Sequence, residues 1–405
     1  MKQKTINFLN NLLLLNLIVF IILAPFSKKA VKSCFFVAIL LWLIINALEF
    51  HLSFYKHLIT KTAVNKHLLL FFLALGLSTV YGFDPYISHG VLFERYLGYI
   101  LFFCLGSYLV KNTRNVTILI GAIIFAGILI GVGGIWGHLQ LGTADRFHLV
   151  QGRMHSSFGR VISFARFLVL YIPLSSSILF FSRNKILRIG AFISLIVLFP
   201  CLIFNAARAG LAAVMVVILM VSFLKNKKVF LLSLIFFCTL LLFPVFGIKE
   251  RALTTFNPLT WGERVPLWEI AIKIFKDYPI FGAGLGISEK LLPEYWQPSS
   301  LFAVFRMWDI HNTYLELLAE AGIVGLGTFL WIFARFFKNA FKTVKNMVGE
   351  QQALALGLIG AVSAALIFAL SASNITAGVQ ETAVFWFLFG IAVSLNSGKE
   401  QIKTV

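Results

Sequence analysis

The sequence predicts an all-α polytopic membrane protein with about 12 transmembrane helices, and three observations lead there. Of 405 residues, 59% are hydrophobic and only 13% are charged. Apolar runs of about 18 to 25 residues recur along the whole chain, each long enough to cross a hydrocarbon core roughly 30 Å thick. The alternating segments of roughly ten residues that mark a membrane β-barrel do not occur.

Taken in order, the expected spans are 8–25, 33–50, 67–81, 95–110, 116–137, 161–181, 187–205, 209–224, 229–246, 312–334, 353–371 and 380–396. The first follows Lys2 and Lys4 and runs into "APFSKK" without a small-residue cleavage site, so it reads as a retained helix. Residues 187–224 are one apolar run, about 57 Å long as a single helix, nearly twice the core thickness. It must fold back, and the punctuation is "NAARAG", Asn205 to Gly210. Cys34, Cys104, Cys201 and Cys238 all lie in apolar runs and read as core packing. Three regions follow: helices 1–9 in 1–246, a long soluble loop in 247–311, and helices 10–12 with a short tail in 312–405.

Short loops set the orientation. With the N-terminus inside, the inner connections are "HLSFYKHLITKTAVNK", "KNTR", "SRNKILR", "KNKK", "RFFKNAFKTVKN" and the tail "SGKEQIKTV", all basic. The opposite loops "GFDPYISHG" and "SASNITAGVQ" carry no Lys or Arg; only "FSKKAVK" breaks the rule. Both termini are therefore expected on the cytoplasmic side. The net charge of +19 is mostly this topology signal, so it implies membrane lipids and no nucleic-acid partner.

Two outer segments are substantial. Residues 138–160 gather Arg146, His148, Arg153, His155 and Arg160, while 247–311 holds seven basic and seven acidic residues, so any anion site there must be built locally. Within it, "PLWEIAIKIFKDYP" places Leu267, Ile270, Ala271, Ile274 and Tyr278 on one helical stripe and Glu269, Lys273 and Asp277 on another. That is a short amphipathic helix suited to the membrane surface, with Pro266 in its first turn.

Several chemistries lack their motifs. There is no Walker loop, H-E-x-x-H, G-x-S-x-G, CxxC or D-x-D, and the chain has only four aspartates, so no metal ligand set stands out. "FGAGLG", Phe281 to Gly286, lacks the preceding strand of a nucleotide loop and reads as a tight turn.

Arginines on the outer side are the better lead. Arg208 is the one charge between Arg188 and Lys225 and falls at the forced turn; it either reaches the headgroups or meets a ligand that its small neighbours admit. Arg264 precedes the amphipathic helix, where free N–H groups and the dipole favour an anion and a guanidinium fork suits phosphate. The alternative is a surface pair with Glu263 or Glu269. Arg153 and Arg160 are weaker candidates, and Arg166 sits slightly inside a span, where a charge needs a reason.

The seam between loop and helix reads "DIHNTYLELLAEAGIVGLG", Asp309 to Gly327. "TYLE" is a capping-box pattern, with Thr313 capping and Glu316 reaching back. His311 then stands just outside a helix N-terminus, whose positive end favours neutral imidazole, a form able to accept a hydroxyl proton. Gly322, Gly325 and Gly327 offer a small face for close helix packing. Without more, a histidine here is also compatible with an ordinary interfacial polar residue.

The pattern supplies more. "HNTYLELLAEAGIVG" fits H-N, nine residues, then G-x-x-G, and resembles the signature of the O-antigen ligase and polymerase superfamily. The long loop before it, Arg208 in the preceding outer turn and "ERVPLWEIAIKIFKDYPIFGAGLG" resemble the ligase pattern over roughly residues 150–335. The resemblance implies a cofactor-free glycosyltransferase of a Gram-negative inner membrane with its site facing the periplasm. Ligases of this family move a polysaccharide from undecaprenyl diphosphate to a sugar hydroxyl of lipid A–core, without metal. The family's essential histidine maps to His311 and its diphosphate-contacting arginines to Arg208 and Arg264. Asn312, Glu320, Arg153 and Arg160 are candidates for supporting roles. Alternatives are a polymerase that extends lipid-linked glycan, a relative that glycosylates protein, and a lipid-glycan transporter, for which Glu320 is the one candidate mid-membrane charge.

Overall fold

The computed structural model describes residues 2–49, 62–109, 113–140, 161–205, 207–225, 227–242, 264–295, 310–373, 375–376 and 378–397. All regular structure among them is helical. Numbered along the chain, the helices are α1 (Lys2–Leu23), α2 (Lys28–Glu49), α3 (Asn65–Tyr81), α4 (Pro85–Val91), α5 (Leu97–Leu109), α6 (Thr113–Gln140), α7 (Val161–Phe181), α8 (Lys185–Asn205), α9 (Arg208–Lys225), α10 (Lys227–Leu242), α11 (Arg264–Asp277), α12 (Ser288–Tyr295), α13 (Thr313–Val344), α14 (Gly349–Phe368) and α15 (Gln380–Ser397). A π-helical turn, Leu92–Tyr96, joins α4 to α5.

This is an all-α polytopic membrane protein. Each expected span coincides with a helix, but eight stretches among the described residues are long and apolar enough to cross a membrane. Asn65–Tyr81 and Arg208–Leu224 are shorter apolar helices. Seventeen residues of α3 reach about 26 Å, short of a core of roughly 30 Å, so a count of twelve is not reached by length.

The forced fold-back lies where "NAARAG" puts it: α8 ends at Asn205 and α9 begins at Arg208. "GFDPYISHG" is no open loop, because Asp84 accepts hydrogen bonds from Tyr86 N and Ile87 N and starts α4 there. Two cysteines, Cys34 and Cys201, are buried as expected, whereas Cys104 is half-buried and Cys238 faces outward. An apolar run bounds only the helix; which of its sides meets protein is set by the neighbours.

Helix α7 is the central pillar, buried along most of its length. It packs antiparallel to α14, where Gly357 lets Leu174 approach: a Cβ there would lie 3.2 Å from the Leu174 backbone. Side-chain bonds sort the bundle into two ends. At one, Gln380 Nε2 donates to Ala24 O, Asn205 Nδ2 to Val161 O, Arg166 Nη2 to Ser373 O and Ser78 Oγ to Glu320 O. At the other, Glu350 Oε1 accepts from Ser182 Oγ, Arg183 N and Asn184 N, and Thr343 Oγ1 donates to Asn396 O. Lys2 and Ser397 belong to this second end, because α1 runs towards Ala24 and α15 runs away from Gln380.

Candidate active site

The first end gathers His311, Arg264 and Arg208. His311 is half-buried and has φ 55, the one positive φ on a non-glycine among the described residues. Left-handed backbone at a non-glycine residue costs about 1–3 kcal/mol and persists where its surroundings over-determine it. Here the next residue supplies that constraint. Asn312 caps α13, its Oδ1 accepting from Tyr314 N at 3.0 Å and Leu315 N at 3.2 Å.

The cap therefore falls one residue before the expected Thr313, and no capping box forms. Thr313 Oγ1 instead donates to Ala372 O at 3.0 Å, and Thr313 N donates to Ala369 O at 3.0 Å. Glu316, expected to reach back to the cap, turns away and accepts from Thr376 Oγ1 at 3.1 Å. Long-range partners in the turn after α14 have outbid the local pattern.

Arg264 opens α11, and its Nη1 donates to Ser371 Oγ at 2.6 Å. The apolar stripe of α11 is as expected, with Leu267, Ile270, Ala271 and Ile274 buried, but it does not rest on a membrane surface. It packs with Ile287, Leu291, Leu292, Ile310 and Ala319, so α11 is docked on α12 and on the start of α13. Burying four such side chains against protein gains about 1.5–3 kcal/mol for each large one, which a groove of matching apolar residues supplies as well as lipid does. Arg208, half-buried, is the first residue of α9 and follows Asn205, whose amide reaches the start of α7. It shares the end of the bundle with His311 and Arg264. Arg153 and Arg160 lie outside the described residues.

Below the cap, α13 is broken. Gly322 has φ 65 and ψ −168, between two helical halves. A straight helix would bond Ile323 N to Ala319 O and Val324 N to Glu320 O. Both pairs are exchanged for bonds to the "YPIFGAGLG" loop: Ile323 N donates to Pro279 O, Val324 N to Ile280 O, and Ala319 O and Glu320 O accept from Ala283 N and Gly284 N. Such contact requires glycine on both sides. A Cβ on Gly322 would sit 2.3 Å from Ile280 O, and one on Gly282 2.3 Å from the Glu320 carbonyl carbon. "FGAGLG" is thus a tight turn, as expected, serving as a splice for the broken helix.

The small face expected of Gly322, Gly325 and Gly327 is not a helix-packing face. Gly322 meets the loop, a Cβ on Gly325 would meet only Ala321 of its own helix, and Gly327 faces open space. Glu320 is buried at the break and accepts from Ser288 Oγ at 2.6 Å and Ser288 N at 3.4 Å, tying the start of α12 to α13. Those bonds hold it within the splice.

Sequence reading missed the turn after α14. The described residues within 369–378 receive Thr313, Glu316, Arg264 and Arg166, and Tyr99 Oη donates to Gly378 O at 2.7 Å. Arg166 also lies 3.9 Å from Glu381 Oε1, which explains a charge inside a span. The available signal is the run of small polar residues in "SASNITAG" between two apolar spans.

Residues 192–330 match a family model described as O-antigen ligase. The match covers about a third of the chain. The matched stretch runs from within α8 to within α13 and so includes Arg208, Arg264, His311, Asn312 and Glu320. Arg153, Arg160, Arg166 and the 369–378 turn lie beyond it. No curated protein matches the chain.

Proposed function

We propose that the protein is an O-antigen ligase, transferring polysaccharide from undecaprenyl diphosphate to a sugar hydroxyl of lipid A–core at the periplasmic face of a Gram-negative inner membrane. One observation carries the reading: adjacent residues, Ser371 and Ala372, hold the Arg264 guanidinium and the helix start that presents His311. What supports it is that a cation suited to phosphate and the helix start that follows an imidazole suited to a hydroxyl proton are anchored on neighbouring residues.

In this reaction a bond forms between the acceptor oxygen and the anomeric carbon while the bond from that carbon to the diphosphate oxygen breaks. Undecaprenyl diphosphate leaves with the electron pair, its charge met by Arg208 and Arg264. The hydroxyl proton passes to His311. Direct displacement inverts the anomeric centre. The broken helix beside Glu320 resembles a transporter device, but its freed backbone groups are taken by the 279–284 loop and the carboxylate by Ser288, which favours the transferase.

The test is reconstitution of full-length protein with lipid-linked glycan and lipid A–core. Glycan on the core supports a ligase, lengthened lipid-linked glycan a polymerase, and movement without transfer a transporter. A folded His311→Ala variant should lose about 10² to 10⁴ in rate yet still bind donor. If it keeps more than about a tenth of the parent rate, far above that expected loss, the base assignment is wrong.

A further inference from the structure

Three consecutive residues after α14 each anchor a different part of the molecule. Ser371 Oγ accepts from Arg264 Nη1 at 2.6 Å, Ala372 O from Thr313 Oγ1 at 3.0 Å, and Ser373 O from Arg166 Nη2 at 2.9 Å. These partners come from α11, from α13 two residues after His311, and from α7, which are far apart in sequence. The turn is itself pinned. Trp386 Nε1 donates to Ile375 O at 3.2 Å, Tyr99 Oη to Gly378 O, and Thr376 Oγ1 to the buried Glu316 carboxylate. Gly378, at φ 103, lies so close to Arg166 that a Cβ there would be 3.0 Å from Nη1.

We propose that the Ser371–Ser373 turn is the template that sets Arg264 against His311, with Ser371 a positioning residue for the Arg264 guanidinium. This rests on the reading of Arg264 as a diphosphate-binding group. A hydroxyl suits the task because it fixes the direction of one N–H of the fork while bringing no charge of its own. A template pinned on several sides holds that direction through turnover, and a misplacement of about 1 Å is enough to cost about 10²-fold in rate.

The experiment compares Ser371→Ala, Ser371→Thr, Arg264→Lys and the Ser371→Ala/Arg264→Lys pair in full-length protein. Two readouts are taken: transfer from undecaprenyl-diphosphate-linked glycan to lipid A–core, and direct binding of undecaprenyl diphosphate. Ser371→Ala should lower kcat/KM by about 10- to 100-fold and weaken undecaprenyl diphosphate binding at an unchanged melting temperature. Ser371→Thr, which keeps the hydroxyl, should stay near the parent in both. Removing the hydroxyl should add nothing once the fork is gone, so the pair should match Arg264→Lys alone. Normal transfer and binding in Ser371→Ala, a Thr variant as poor as the Ala variant, or additive losses in the pair would each overturn the inference. If Arg264→Lys is impaired while Ser371→Ala is normal, only the positioning role falls. If Arg264→Lys binds and transfers normally, the reading of Arg264 falls and takes the positioning role with it.

Discussion

Two of the glycine pairs that bring backbones into contact among the described residues do so for different reasons. Gly106 on α5 and Gly390 on α15 face each other reciprocally: a Cβ on Gly106 would be 2.1 Å from Phe387 O, and one on Gly390 2.1 Å from Phe103 O. Both helices keep helical geometry there, and glycine contributes only the absence of a side chain. Gly282 and Gly322 are also reciprocal, but both have positive φ, and their elements exchange backbone hydrogen bonds. At the first contact glycine sets a distance. At the second it sets a distance and a conformation, and it decides where four backbone groups find partners.

The contrast predicts unequal damage. Gly322→Ala should be the most severe change, combining left-handed strain with overpacking against Ile280 O for about 2 to 5 kcal/mol, and transfer activity should go with it. Thermal unfolding and transfer assays on the same detergent-extracted sample measure both. Gly106→Ala should cost about 1 to 3 kcal/mol by pushing two helices apart, while the protein that stays folded keeps its specific activity. Equal loss of specific activity in the two variants would erase the distinction between a crossing and a splice.

Smaller effects sharpen it. Asn312→Ala removes two cap bonds from α13 and should lower stability by about 1 kcal/mol. It should also lower transfer more than its stability loss explains, since the left-handed His311 depends on the turn the cap fixes. Substituting Asn312→Asp, which restores an acceptor, should recover stability. The least change is expected at Lys290→Ala. The hydrogen bond from Lys290, then those from the backbone, hold the Asp84 carboxyl below its usual range. A depressed carboxylate stabilises the fold above its ordinary pKa, and that contribution disappears as pH falls through the lowered value. The gap in melting temperature between parent and Lys290→Ala should therefore be small near neutrality and close on acidification. A gap that widens in acid would reverse the sign assigned to this pair.

Much of the candidate site was legible because it depends on kinds of residue at seams between apolar and polar sequence. Arg208 stood out as a lone charge at a fold-back, Arg264 as the cation before an amphipathic stripe, and His311 as the histidine before a helix start. The cap was misplaced by one residue because Asn312 and Thr313 are both good caps; only the Ala372 carbonyl, 59 residues away, commits the Thr313 hydroxyl elsewhere. The α11 stripe was read correctly and its partner wrongly, since an apolar face has the same pattern whether lipid or Ile287 and Leu291 cover it.

Sequence by itself determined that this chain is a helical membrane protein, where its helices lie, and which charged and proton-active residues sit at their ends. Hydropathy and capping preference are local properties, written residue by residue. Tertiary structure alone decided that α13 breaks at Gly322, that "FGAGLG" repairs the break, and that "SASNITAG" draws Arg264, Thr313 and Arg166 to three neighbouring residues. Each depends on a buried backbone or side-chain polar group finding its partner across the fold. Such groups must be satisfied somewhere, but the sequence does not say by whom until the helices have packed.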